Sequence, residues 1–334
     1  LNPTTGAVYA LAGANRDIKT GKVTENALGT INQSFVMGSV VKGATVMGAL
    51  QSGVITPTNS ALTDTPIKLK GTAAKTSWFN KSGGTSLALD ASTAMEVSSN
   101  SYMMQLAMKE GGFTYGSGKA LDMPTSIFSK LRGYFNQFGL GVSTGIDLPG
   151  EATGYEGTAD QAHIGNALDL SFGNYDSYTT IQVAQYIATM ANGGQRIAPH
   201  VVSSITGTNA DGSQGKTKVN VGTRVLNTID VPSSYFDVVH TGYYDVVHGS
   251  SQYKTGSKLA SLSPTVAAKS GTAETFYNAS TPTETLSLAT YAPYKNPKVA
   301  IAIVFPGMNN STTSVVNFDT ATQIYKAFWK YYSK

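Results

Sequence analysis

Apolar positions along this chain of 334 residues change their period twice, and the changes divide it. Gly6 to Gly13 alternates, with Val8, Tyr9 and Leu11 as its apolar members, and predicts a strand. A polar loop runs to about Gln33, after which helical spacing takes over. Ser39 opens a run carrying Val40, Val41, Val46, Met47 and Leu50, ended by Gly53. Ile67 to Leu69 is a short extended piece between turn signals. Leu87 to Val97 reads as a second helix, broken by Ser98-Ser99-Asn100; helical spacing resumes from Tyr102 to Lys109 and stops at Gly111-Gly112. Ile127, Phe128, Leu131, Phe135 and Phe138 predict a helix over Thr125 to Phe138. Thr179 or Thr180 caps another through Ala191, closed by Gly193-Gly194. Val201 to Ile205 and Arg224 to Ile229 look like strands flanking a polar excursion. Pro232 then opens a helix with Phe236, Val239, Tyr243 and Val246 on one face.

The second change of period comes near Val266. Val266 to Glu274, Glu284 to Tyr291 and Lys298 to Phe305 read as successive strands, the last two joined by a Pro/Asn turn. A terminal helix follows, with Ala321, Ile324, Phe328 and Tyr331 on one side. Strands at both ends of a helical middle predict an α+β domain over residues 1–334. Its central antiparallel sheet would be assembled from distant segments, with a mostly helical insert at about 54–195.

Composition narrows the setting. Charged residues make up 13%, well under the usual quarter, which leaves the polar surface to Ser, Thr, Asn and Gly and suits an exported protein. A net charge of +4 without a basic cluster gives no footprint for nucleic acid. The chain has no cysteine, so disulfides, thiol catalysis and thiolate metal sites are excluded. Its four histidines, His163, His200, His240 and His248, show no metal-ligand spacing, so no metal is expected. Gly139 to Gly154 is glycine-rich but lacks the Gly-Lys-Ser/Thr order of a phosphate loop, so no nucleotide cofactor is expected either. The longest apolar run, Val299 to Phe305, fits a buried strand and is too short to span a bilayer. The chain turns from Leu1 straight into a strand signal, and the expectation is an excised portion of something longer.

Three short motifs carry chemistry. Ser-x-x-Lys occurs at Ser39/Lys42, Ser213/Lys216 and Ser251/Lys254, but only the first enters an apolar helix. There the spacing puts both side chains on one face of the first turn. A serine hydroxyl is a weak nucleophile, and an unprotonated lysine amine beside it is one way to activate it. Burial or a nearby cation would lower the lysine's pKa far enough. Backbone amides at the helix start could stabilise an oxyanion. Ser98-Ser99-Asn100 is the only Ser-x-Asn and falls at a helix break, where a hydroxyl could relay a proton and a carboxamide could hold an amide substrate; a plain helix N-cap is the competing reading. Lys-Ser/Thr-Gly occurs at Lys19-Thr20-Gly21, Lys81-Ser82-Gly83, Lys254-Thr255-Gly256 and Lys269-Ser270-Gly271. Only the last sits on a predicted strand, where Gly271 would let a substrate peptide approach the edge and Lys269, Ser270 and Thr272 could bind its terminal carboxylate. An exposed lysine guarding an edge strand is the alternative.

Ser-x-x-Lys, Ser-x-Asn and Lys-Ser-Gly, in that order, resemble the motif set of penicillin-binding proteins and class A β-lactamases. Further stretches are similar to the transpeptidase domain of class B penicillin-binding proteins of the Gram-positive, cell-elongation type. They are Asn2-Pro3-Thr4-Thr5-Gly6, Thr144-Gly145-Ile146-Asp147-Leu148-Pro149-Gly150-Glu151, Thr180-Ile181-Gln182-Val183-Ala184-Gln185-Tyr186 and Ala191-Asn192-Gly193-Gly194. The resemblance covers nearly the whole chain. It implies a transpeptidase fold with an all-α subdomain, and a Ser39 acylated by a D-Ala-D-Ala stem peptide with Lys42 as proton acceptor. Ser98 and Asn100 would line the cleft, Lys269 would complete the catalytic set, and Ser99, Ser270, Gly271 and Thr272 would contact substrate. The backbone N–H groups of Ser39 and Thr272 would form the oxyanion hole. Ser270 stands where threonine is commoner and keeps the hydroxyl.

The implied function is cross-linking of peptidoglycan, with β-lactams as covalent inhibitors and without cofactor or metal. The implied partners are a glycosyltransferase and elongation-complex membrane proteins. The implied location is the outer face of the cytoplasmic membrane, through an anchor and pedestal not in this chain. A D,D-carboxypeptidase and a β-lactam sensor domain are the alternatives; Asn100 speaks against the sensor, which tends to carry Ser-x-Val. Class A β-lactamases deacylate through a Glu-x-x-Leu-Asn loop, and none of Glu110, Glu151 or Glu156 begins one, so a penicilloyl ester on Ser39 is expected to be long-lived.

Overall fold

The computed structural model describes residues 1–278, 280–309 and 314–332. The amino-terminal part is built from short elements: β1 (Ala14–Arg16) pairs with β2 (Val23–Glu25), and α1 (Gly29–Asn32) leads into β3 (Ser34–Val36). A 3-10 turn over Gly38–Val41 continues as α2 (Lys42–Ser52), which stops where Gly53 takes the left-handed conformation expected of a C-terminal glycine. Every residue of α2 from Lys42 to Leu50 is buried. It is the central helix of the molecule, and each of its larger apolar side chains contributes about 1.5–3 kcal/mol by leaving water.

The middle of the chain wraps this helix. β4 (Leu62–Asp64) pairs with β5 (Leu87–Leu89), followed by α3 (Ala91–Glu96), α4 (Asn100–Glu110), α5 (Ser126–Asn136) and α6 (Asn166–Ser171). β6 (Ser177–Thr179) pairs with β3, and α7 (Thr180–Ala191) starts at a capping box in which Thr179 and Gln182 satisfy each other's backbone amides. The single helix predicted over Leu87 to Val97 is a strand and a helix, divided because Asp90 stays extended and its carboxylate accepts from Thr93 N.

Beyond α7, β7 (Gln195–Ile197) pairs across a long excursion with β10 (Val225–Thr228); the excursion is itself a hairpin of β8 (Ser204–Thr208) and β9 (Gln214–Asn220). The strand expected at Val201 begins only at Ser204, because the amides of Val201 and Val202 are taken by the Asp147 carboxylate. α8 (Ser233–His248) leads to the main sheet, β11 (Ala267–Asn278), β12 (Thr281–Ala292) and β13 (Val299–Asn309), antiparallel in the order β11-β12-β13. α9 (Val316–Tyr332) closes the described chain.

Alternation in the sheet sets which side chains meet which helices. Leu288, Ala292, Ile301 and Ile303 pack with Val246, Ala321 and Tyr325 on the α9 side, whereas Ala267, Ala289, Tyr291 and Ala300 join the core around α2 and α7. Lys269 lies opposite Ala289, so it points into that second core. The amino-terminal segment joins the sheet differently from its alternation. Gly6 to Gly13 forms only a parallel bridge between Ala7 and His200, since Asn2 ties residues 4 and 5 into a turn; Leu1 instead exchanges two backbone hydrogen bonds with Ala300. The terminal helix buries Asn317, Ala321 and Tyr325, while Ile324 and Tyr331 face solvent, so its apolar face is turned from the one predicted. Ile67 to Leu69 keeps one bridge, from Ile67 to Lys75.

Candidate active site

The site forms where α2, the start of α4 and the edge strand β11 converge. Close approach is made by glycines. Gly38 has φ +60°, and a Cβ there would stand 2.5 Å from the Thr272 carbonyl oxygen and 3.1 Å from its nitrogen. A Cβ on Gly271 would overlap the Met37 carbonyl, and one on Gly173 would overlap that of Gly38. Three backbones from distant parts of the chain are thus in direct contact, which only glycine permits. Ser287 Oγ fixes the junction by donating to Met37 O at 2.6 Å. The backbones of Ser39 and Thr272 are thereby held side by side. As the edge strand of its sheet, β11 keeps one row of backbone groups unpaired by β12.

Ser39 lies in the 3-10 turn, half-buried, and its hydroxyl makes no hydrogen bond among the described residues. Lys42 is completely buried one turn on. Its Nζ donates to Ser98 O at 2.7 Å, to Asn100 Oδ1 at 2.7 Å and to Ser98 Oγ at 3.1 Å. Burial pushes the Lys42 amine well below the ordinary lysine range; Lys269 depresses it further, and Asp64 acts in the opposite sense. Lys269, also fully buried, donates to Ser98 Oγ at 2.8 Å and to Ser270 O at 3.0 Å, and burial lowers its pKa to about 7. One hydroxyl therefore sits between two amines whose charged forms are both disfavoured. Ser98 reaches this position in the left-handed region, at φ +56°, a conformation costly for serine and held here by the contacts on both sides.

The other named residues divide. Asn100 and Thr272 reach the cleft, with Thr272 exposed, and Ser270 donates to Thr255 Oγ1 at 2.9 Å. Lys269 is not the exposed edge lysine of the alternative reading. Ser99 departs from expectation: it is buried, caps α4 by accepting from Tyr102 N, and donates to Asp64. A side chain so engaged is not free to contact a substrate, and the helix-cap reading applies to it. Ser213 and Lys216 lie far off in the β8–β9 hairpin, while Lys254 donates to Gly249 O.

Several residues at the site were not assigned to it by the sequence. Asp64 and Ser77 lie under the Ser98–Asn100 turn, and neither belongs to a periodic pattern. Thr255 belongs to a Lys-Thr-Gly copy whose neighbours look like a polar loop. Tyr186 and Tyr243, both fully buried, join their hydroxyls beneath Gly43, and Tyr186 donates to Val40 O at 2.9 Å.

The chain is similar to known proteins over nearly its full length. The sequence profile of the penicillin binding protein transpeptidase domain matches residues 1–326. Penicillin-binding protein 2B of Streptococcus pneumoniae strain R6 is 37% identical over 335 residues, covering 99% of this chain and 48% of that protein. Its solved structure matches with a TM-score of 0.94, over 99% of this chain and 53% of the other. Penicillin-binding protein 2A of Bacillus subtilis is 39% identical over 315 residues, 92% of this chain and 42% of the relative. The chain thus spans about half the length, or less, of the curated relatives it matches.

Proposed function

The chain belongs to the penicillin-binding protein transpeptidase family, and from that premise we propose that it is a serine D,D-transpeptidase domain acting on peptidoglycan stem peptides. The observation that carries the reading is the pair of buried amines, Lys42 and Lys269, on either side of the Ser98 hydroxyl, one turn from Ser39. A neutral Lys42 has two N–H donors, matched by Ser98 O and Asn100 Oδ1, and a lone pair left over for a proton.

In this reading Lys42 takes the Ser39 proton as Ser39 Oγ bonds to the penultimate D-Ala carbonyl carbon. The oxyanion forms against the N–H groups of Ser39 and Thr272, which are preorganised by the glycine junction. The C–N bond to the terminal D-Ala then breaks, and its nitrogen receives the proton through Ser98 Oγ. An amine from a second stem attacks the ester by the same steps in reverse. Lys269, Ser270 and Thr272 hold the donor's terminal carboxylate, beside the Gly271 backbone. A β-lactam enters as the donor does and leaves its ester on Ser39.

Hydrolysis of that ester needs a base holding water against it. Glu110 pairs with Lys130 and Tyr134, Glu151 accepts from Ser143 and Thr144, and Glu156 pairs with Arg132, which supports a persistent adduct. We extend the proposal to the parent protein: an anchored enzyme on the outer face of the cytoplasmic membrane, working with a glycosyltransferase and elongation-complex proteins. Residues 54–195 would be its mostly helical subdomain. A D-Ala-D-Ala donor offered together with an amine acceptor tests the reaction. Aminolysis product is expected, and release of free acid alone would favour a carboxypeptidase.

A further inference from the structure

The turn that presents Ser98 and Asn100 rests on a carboxylate that none of the three motifs contains. Asp64, at the end of β4, is buried, with 1% of its surface exposed. Its Oδ2 accepts from Ser77 Oγ and Ser99 Oγ, each at 2.5 Å, and its Oδ1 accepts from Asn80 Nδ2 at 2.9 Å. The two serine hydroxyls are in turn acceptors for the first amides of α4: Ser77 Oγ from Asn100 N at 3.0 Å and Ser101 N at 3.2 Å, Ser99 Oγ from Tyr102 N at 2.9 Å.

This network has a direction. A carboxylate only accepts, so each hydroxyl must spend its single proton on Asp64 and turn its lone pairs to the helix amides. A neutral acid or an amide at position 64 could donate, and either serine could then point its proton at an N–H and lose the cap. What the cap secures is the position of Asn100 Oδ1 and of both Ser98 oxygens around Lys42 Nζ. Asp64 also balances charge. Two titratable groups act on Lys42, Lys269 from β11 and Asp64 from β4, and Asp64 is the one that favours its protonated form.

We infer that Asp64 is a positioning residue for acyl transfer: through Ser77 and Ser99 its carboxylate sets the Ser98–Asn100 turn against the Lys42 amine. The inference rests on the transpeptidase reading and adds a residue to it. A displacement of the order of 1 Å at a reacting group slows a reaction roughly a hundredfold, and a carboxamide of the same shape should produce a good part of that.

The test measures the second-order rate of acylation by a fluorescent penicillin as a function of pH, for the parent, Asp64→Asn and Ser77→Ala. Asp64→Asn is expected to acylate at least roughly thirtyfold more slowly than the parent. The acid limb of its profile should move to lower pH, because removing the anion makes Lys42 easier to deprotonate. Ser77→Ala leaves the charges in place, so its rate should fall about tenfold with the limb unmoved. For Asp64→Asn, a rate within threefold of the parent overturns the inference. So does a fall with the limb unmoved, which a purely structural role would give. If Asp64→Asn does not fold, Ser77→Ala decides alone, and a rate within threefold of the parent overturns the inference. A parent that penicillin does not label would overturn the transpeptidase reading itself, a result distinct from all of these.

Discussion

Gly43→Ala tests how tightly the Ser39–Lys42 turn is seated. Gly43 follows Lys42 directly, and a Cβ there would overlap the Tyr243 hydroxyl while standing 2.7 Å from that of Tyr186 and 2.9 Å from Tyr243 Cζ. Two effects oppose each other. Alanine in a helix is favoured over glycine by about 1 kcal/mol. Against that, overpacking a filled core costs about 2 kcal/mol. Displacing the tyrosine pair also loses the Tyr186 bond to Val40 O and the bond between the hydroxyls, at about 1 kcal/mol each. The net expectation is destabilisation of about 3 kcal/mol. Tyr243→Phe alone loses one hydrogen bond, about 1 kcal/mol. Combined with Gly43→Ala, it removes the atom the methyl overlaps, so the double variant should be more stable than the sum by about 1.5 kcal/mol. Urea unfolding followed by circular dichroism gives these numbers. The same samples, mixed with a fluorescent penicillin, should acylate more slowly as Gly43→Ala and partly recover in the double variant. A Gly43→Ala domain as stable as the parent, or strict additivity in the double variant, would refute the reasoning.

Lys42→Ala should fold and acylate several orders of magnitude more slowly, since the nucleophile loses the base that activates it; stopped-flow labelling within tenfold of the parent would assign the proton to another group. Lys269 should leave a mark on stability. Its pKa is near 7 in the folded chain and near 10.4 when unfolded, so between those values the unfolded state binds more protons and stability rises with pH. Urea midpoints should therefore climb between about pH 7 and 9.5. Lys269→Met should flatten that climb, although Lys42 contributes in the same direction; an unchanged slope would mean that Lys269 is not buried as described.

Much of this site could be read from the sequence because its motifs coincide with changes in local structure. Ser39 stands at the start of an apolar helix, and Lys269 on the only Lys-Ser/Thr-Gly copy within a strand, so spacing and periodicity separated each from its polar duplicates. What stayed hidden depends on contacts between distant segments. Nothing local says that Ser99 turns inward to Asp64 while Ser98, its neighbour, turns toward two lysines, because left-handed backbone at Ser98 decides the matter. Asp64 itself is one carboxylate at the end of a three-residue strand, and its value comes from Ser77 and Ser99, which lie 13 and 35 residues away along the chain. Alternation from Gly6 to Gly13 foretold a strand, but that segment is held by a turn at Asn2 and a single bridge to His200. The three-residue strands β4 to β7 are too short for periodicity to register at all.

The central claim is that Ser39 is the nucleophile, and the most direct measurement is intact mass after incubation with a penicillin, followed by peptide mapping and a time course once free drug is removed. Expected is one added penicilloyl mass, located on Ser39, absent from Ser39→Ala and persisting for many minutes to hours. Label on Ser213 or Ser251, label retained in Ser39→Ala, or an adduct lost within seconds with catalytic release of penicilloic acid would contradict it.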